Sequence, residues 1–152
     1  MARNETLCSI RDALHLDEES MQQIFRQAGR EVGRSTITAL LKTEEQDEYI
    51  PCSDPILGFF LDGLIIHKRG LPDGQPAPAP RPAAALSNNA ILKKLRIALD
   101  LKEDDLTGIL KLAGLTLSKH ELTALFRKQG HKHYKECSNQ LLRDFLKGLA
   151  LR

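Results

Sequence analysis

The strongest constraint on this chain is that it contains itself twice. Gly33 to Leu64 and Ser118 to Leu149 align without a gap at an offset of 85, with Thr38-Ala39-Leu40 falling on Thr123-Ala124-Leu125. The register extends from Asn4 on Asn89 to His67 on Arg152, 64 positions of which 21 are identical. A repeat of this length means one supersecondary unit used twice. Each copy then serves as a control for the other: shared residues point to the framework, and divergent ones to whatever the copies do differently.

The framework reads as helical. With five Phe, two Tyr and no Trp, the interior must be built from Leu, Ile and Ala, which favour helices. Leu7, Ile10 and Leu14 recur at helical spacing after Asn4, which is expected to cap the first helix. Asp17 caps a second, with Glu18 and Glu19 in its first turn and Met21, Ile24, Phe25 and Ala28 on one face. Gly29 ends it, as Gly114 ends its counterpart. A third helix starts at Gly33. In the second copy, Ser118 and Glu121 make a capping box there and Leu117 with Leu122 a hydrophobic staple. After a polar loop, Ser53 and Ser138 open a fourth helix whose stripe is Leu57, Phe60, Leu61 and Leu64, repeated as Leu142, Phe145, Leu146 and Leu149. Cys52 and Cys137 precede these caps at staple spacing. Gly63 and Gly148 interrupt the stripes at a cost to the helix, so something is expected to pack close against the backbone. Ser87, Asn88 or Asn89 is expected to cap the first helix of the second copy.

Residues 71–86 hold five of the seven prolines and read as a linker. The expected organisation is a first helical repeat at 1–70, a Pro/Ala-rich linker at 71–86 and a second helical repeat at 87–152. The fold class is all-α, a tandem duplication of a four-helix unit with helix-turn-helix-like hairpins. The hairpin between second and third helices lacks the detail of a base-reading motif. Phe25 and Leu110 stand where a small residue is usual, and the turn reads as about two residues. Units of roughly 65 residues are marginal alone, so the fourth helices are expected to pack across the pair or between chains, with Phe60, Gly63, Leu64, Phe145, Gly148 and Leu149 at the interface.

The exteriors diverge in charge. Residues 1–70 carry 8 basic and 12 acidic groups, net −4, whereas 87–152 carry 13 basic and 7 acidic, net +6. The contrast concentrates in the loop before the fourth helix. Glu44, Glu45, Asp47 and Glu48 in the first copy give way to Arg127, Lys128, His131, Lys132, His133, Tyr134 and Lys135 in the second, with Arg143 and Lys147 a few turns on. Such a cluster suits the phosphate backbone of RNA or DNA, with Tyr134 available for stacking. A solvated lysine face, or attraction between the acidic and basic loops, accounts for the same charges without a ligand, and Tyr49 at the matching place reads as loop packing.

Other chemistry finds little support. No apolar run reaches the length of a signal peptide or membrane span, so a cytoplasmic chain with no membrane association is expected. Cys8, Cys52 and Cys137 read as free thiols. His131, His133 and Cys137 lack the spacing of a metal site, and no cofactor motif or catalytic constellation appears. The expectation is a non-enzymatic binding protein. The alternative is a protein-protein adaptor or self-assembling homo-oligomer.

The segments NNAILKKLRIALDLKEDD (88–105) and LFRKQGHKHYKEC (125–137), with the alanine-glycine turns, resemble the YehS-like family of uncharacterised bacterial cytoplasmic proteins, a domain-of-unknown-function family. The resemblance covers both copies. It implies a duplicated helical domain in a bacterial cytosol and carries no catalytic residues.

Overall fold

A computed structural model describes residues 1–70 and 85–152, and within them all regular structure is helical. Eight helices follow one another: α1 (Arg3–Leu14), α2 (Glu18–Gln27), α3 (Arg34–Leu40), α4 (Asp54–Arg69), α5 (Asn88–Leu99), α6 (Glu103–Leu112), α7 (Lys119–Leu125) and α8 (Asn139–Leu151). They form two compact units, Met1–Leu86 and Ser87–Arg152. Most of the expected linker, residues 71–84, lies outside the described residues. Helix by helix the second unit repeats the first, so the tandem duplication is a property of the fold as well as of the sequence.

Local chemistry accounts for most boundaries. Asp17 accepts a hydrogen bond from Ser20 N at 2.7 Å, and Ser53, Ser87 and Ser138 cap α4, α5 and α8 the same way, satisfying backbone donors the helix leaves free. The Ser118–Glu121 capping box is present in both directions at 3.1 Å. Gly29 and Gly114 take φ values of 81° and 83° just past α2 and α6. There Arg30 N reaches back to Phe25 O and Leu115 N to Leu110 O, the six-residue closure of a Schellman motif.

Asn4 does not cap α1; Ala2 stands at that boundary with no side-chain hydrogen bond. Asn4 sits inside the helix and is buried, with Nδ2 donating to Leu40 O and Ile50 O and Oδ1 accepting from Cys52 N, all at 2.8 Å. Asn89 repeats this on Leu125 O, Lys135 O and Cys137 N. An amide at this point ties the end of the third helix to the far end of the following loop. It fixes that loop on the core in both units.

Each unit closes its own core. The second helix packs along the fourth, and the glycine of the fourth helix makes the close approach possible. A Cβ on Gly63 would lie 1.9 Å from Ile24 O, and one on Gly148 2.0 Å from Ile109 O. Phe25 meets Phe60 in a tilted ring contact with centroids 5.3 Å apart. The residues expected at an interface take part in this intramolecular packing. Phe60, Leu64, Phe145 and Leu149 are buried, and Gly63 and Gly148 face the backbone of α2 and α6 of their own unit. The stripe is consumed by intramolecular packing because α2 and α6 present complementary apolar faces that sequence periodicity alone did not pair with it. The α2–α3 connection also differs from the two-residue turn expected. It runs from residue 28 to 33, and the third helices span only seven residues.

Candidate nucleic-acid interface

The basic segment is the loop between α7 and α8. It leaves α7 at Phe126, whose N–H bonds Thr123 O, and is held at its far end by Lys135 N on Ala124 O and by the Asn89 amide. Between these anchors Gly130 adopts φ 95°, and Lys128, His131, Lys132 and His133 are exposed. Arg127, Tyr134 and Lys135 are half-buried at the loop's base. Arg143 and Lys147 are exposed on α8.

Two open hollows flank the base of the loop. The first, about 420 Å³, lies between Arg96 of α5, Glu103 of α6, Thr123 of α7 and the loop residues Arg127, Lys128 and His131. The second, about 570 Å³, is bounded by Asn89 and Lys93 of α5 and by Arg127, Lys128, Gln129 and Tyr134. Arg127 and Lys128 border both. Lys132, His133, Lys135, Arg143 and Lys147 border neither, so the residues grouped by sequence divide into a hollow-lining set and an outer set. Lys135 is partly neutralised by Glu121 at 3.4 Å.

Arg96 and Lys93 come from a helix about 30 residues upstream of the loop and lie outside the basic cluster visible in sequence. The signal for Arg96 was there: Arg11 occupies its place in the first copy. In the fold the Arg96 guanidinium lies over the Phe126 ring, 4.6 Å from its centre, and its Nε donates to Leu101 O at 3.2 Å. The side chain is thereby held at the wall of the first hollow. Glu103, the acidic member, is engaged by Thr123 Oγ1 at 3.5 Å and Lys119 Nζ at 3.8 Å.

The two repeats differ at the base of this loop. Lys42 takes the place of Arg127 in the first unit. Its Nζ donates to Asp47 O at 2.8 Å and lies 3.9 Å from Glu48, so its own loop neutralises it. Lys132 and His133 stand at those positions in the second unit, and Arg127 Nε is covered from solvent with no hydrogen-bond partner. Tyr49 and Tyr134 diverge as well. Tyr49 donates its hydroxyl to Asn4 Oδ1 at 3.3 Å, whereas the Tyr134 hydroxyl makes no hydrogen bond among the described residues. Burial raises the Tyr134 pKa, so it stays a neutral phenol.

His120, His131 and His133 cluster, with 5.7 Å between ring centres and His133 N donating to His131 Nδ1 at 3.0 Å. Cys137 turns away from them. Its Sγ points to Ser138 O at 3.6 Å, and burial pushes the thiol up to about 11. No group of three or more His, Cys, Asp or Glu among the described residues is arranged to hold a metal ion. Nor is any described helix long and apolar enough to cross a membrane.

Fold and surface together define a class: a tandem all-helical repeat protein whose copies share a core and differ in the charge of one anchored loop. The chain belongs to the family described as protein of unknown function DUF1456, whose model matches twice, at residues 3–70 and 88–152. It is 39% identical to the uncharacterized protein YehS of Escherichia coli strain K12 over 152 residues, all of this chain and 96% of that one. No solved structure matches it.

Proposed function

We propose that this is a non-enzymatic nucleic-acid-binding protein that grips the phosphate backbone of RNA or DNA through the second unit. The observation that supports it most is the set of uncompensated cations there. Among the described residues, Arg127, Lys128, Lys132 and Lys147 have no acidic partner. In the first unit Lys42, at the place of Arg127, is paired with Glu48, and Arg3 and Arg26 are paired with Asp54 and Glu31. Cations left open on one anchored surface attract a polyanion and release its condensed counterions.

The contacts available favour backbone over base. The seven-residue α7 follows a six-residue connection, poorly suited to laying a recognition helix along a major groove. Structured RNA or a duplex backbone fits better than a read sequence. The test is binding of mixed-sequence RNA and DNA across a salt series. Four to six phosphate contacts predict a log–log slope of about −3 to −5. Reversing Lys128, Lys132 and Lys135 to Glu together should abolish binding. Wild-type protein that binds neither polymer at low ionic strength would end the proposal.

A further inference from the structure

We infer that the hollow between α5, α6 and the basic loop is a phosphate site with Arg127 as its central ligand, taking a phosphate monoester or a backbone phosphodiester. The inference rests on the nucleic-acid reading for its physiological source, but its own observations are local. Arg127 borders the hollow, and its Nε is the one side-chain polar atom among the described residues that is covered from solvent and lacks a partner. A buried N–H without an acceptor is unfavourable. Rotation of the guanidinium onto a phosphate oxygen relieves it with charge-assisted, two-pronged hydrogen bonds.

The neighbours are those an oxyanion needs. Arg96 is fixed on the wall by its stacking on Phe126 and its bond to Leu101 O, and Lys128 and His131 line the hollow from the loop. Glu103 opposes an anion but is occupied by Thr123 and Lys119. The duplication explains how the site arose. In the first unit, Asp47 O and Glu48 close over Lys42 and leave no vacant cation. The second unit carries Lys132 and His133 at the matching positions, so no carboxylate of its own loop stands where Glu48 does and the guanidinium is left for an external acceptor. The adjoining hollow, floored by Asn89 and walled by Tyr134, leaves room for the sugar or base attached to that phosphate.

The experiment follows the Arg127 Nε–H signal by NMR in the full-length protein, assigned by its loss in Arg127→Gln, during titration with inorganic phosphate and with adenosine 5′-monophosphate. It also measures affinity for a single-stranded RNA oligomer carrying either a 5′-phosphate or a 5′-hydroxyl. The expected result is a saturable shift of Nε–H and a loss of RNA affinity of about tenfold or more in Arg127→Gln, partly restored in Arg127→Lys, with Lys147→Gln changing it less. A 5′-phosphate preference in wild type that Arg127→Gln removes identifies a terminal phosphate. Equal binding of the two oligomers, lost equally, identifies an internal diester.

An Nε–H signal that does not move, with RNA affinity unchanged in both Arg127 variants, overturns the site while leaving the outer lysines to carry the polymer. A phosphate-dependent Nε–H shift in a protein that binds no RNA or DNA keeps the site and overturns the nucleic-acid reading. Should Arg127→Gln fail to fold, the wild-type titration and Arg127→Lys still decide.

Discussion

Asn4 and Asn89 each make three hydrogen bonds to backbone groups, joining the end of the third helix to the far end of the following loop. With each bond worth roughly 1 kcal/mol net, and the stranded groups costing more, Asn89→Ala is expected to lose about 2–4 kcal/mol in urea unfolding, and Asn4→Ala a similar amount. An unchanged midpoint for either would mean that the loop is anchored by something else. The buried thiols make a second residue-scale case. Burial pushes Cys52 up to about 12 and Cys137 to about 11 and raises Cys8 as well. At pH 8 the reactive thiolate is then on the order of one part in a thousand or less at Cys52 and Cys137. Iodoacetamide followed by mass spectrometry should leave both unmodified in the folded protein and label them once urea is added. Rapid labelling of native Cys137 would contradict the burial.

Among elements, the contact of the second helix with the fourth is the one that each unit depends on. Glycine in mid-helix is less favourable than alanine by about 0.5–1 kcal/mol, so propensity alone says Gly63→Ala and Gly148→Ala should stabilise. The added carbon would stand about 2 Å from a carbonyl oxygen of the neighbouring helix, however, and that backbone has no flexible end to yield. Overpacking at about 1–3 kcal/mol decides the sign, and both variants are expected to melt lower than wild type. The start of α4 carries a pH-dependent contribution. Asp54 is held below the usual carboxylate range first by the Leu86 N–H at 3.1 Å and then by Arg3 at 3.0 Å. A depressed folded-state pKa gives stability that is present above the unfolded value near about 3.9 and lost as pH falls through the folded one. Wild type should therefore lose more stability than Asp54→Asn on going from about pH 6 to about pH 3, measured as urea midpoints. Equal losses would remove Asp54 from the account.

For the molecule as a whole, what matters is that two equivalent frameworks carry unlike loops. In the first unit Arg3, Arg11, Arg26, Arg34 and Lys42 have acidic partners, whereas in the second Arg127, Lys128, Lys132 and Lys147 have none among the described residues. Replacing residues 126–135 by the first unit's 41–50 should therefore preserve the fold, because the Asn89, Lys135 N and Cys137 N bonds depend on backbone and on residues the swap leaves in place. It should at the same time remove salt-sensitive polyanion binding, read by circular dichroism and by RNA titration. A swapped protein that stays folded and binds as before would show that the loop charge is irrelevant.

The linear order of residues was sufficient for the duplication, the all-helical class, the serine and aspartate caps and the glycine stops. These depend on interactions within a few residues, and two copies report each one twice. It also located the charged loop, because charge needs no tertiary context to count. Three-dimensional packing alone decided which surfaces were spent. The stripe with Gly63 and Gly148 looks available in sequence, yet each unit's own second helix covers it. Asn4 has a capping residue's place and a core residue's role. Arg96 joins Arg127 from 31 positions away. Burial and partnership arise from contacts between segments distant in the chain, and periodicity along one segment does not specify what lies opposite it.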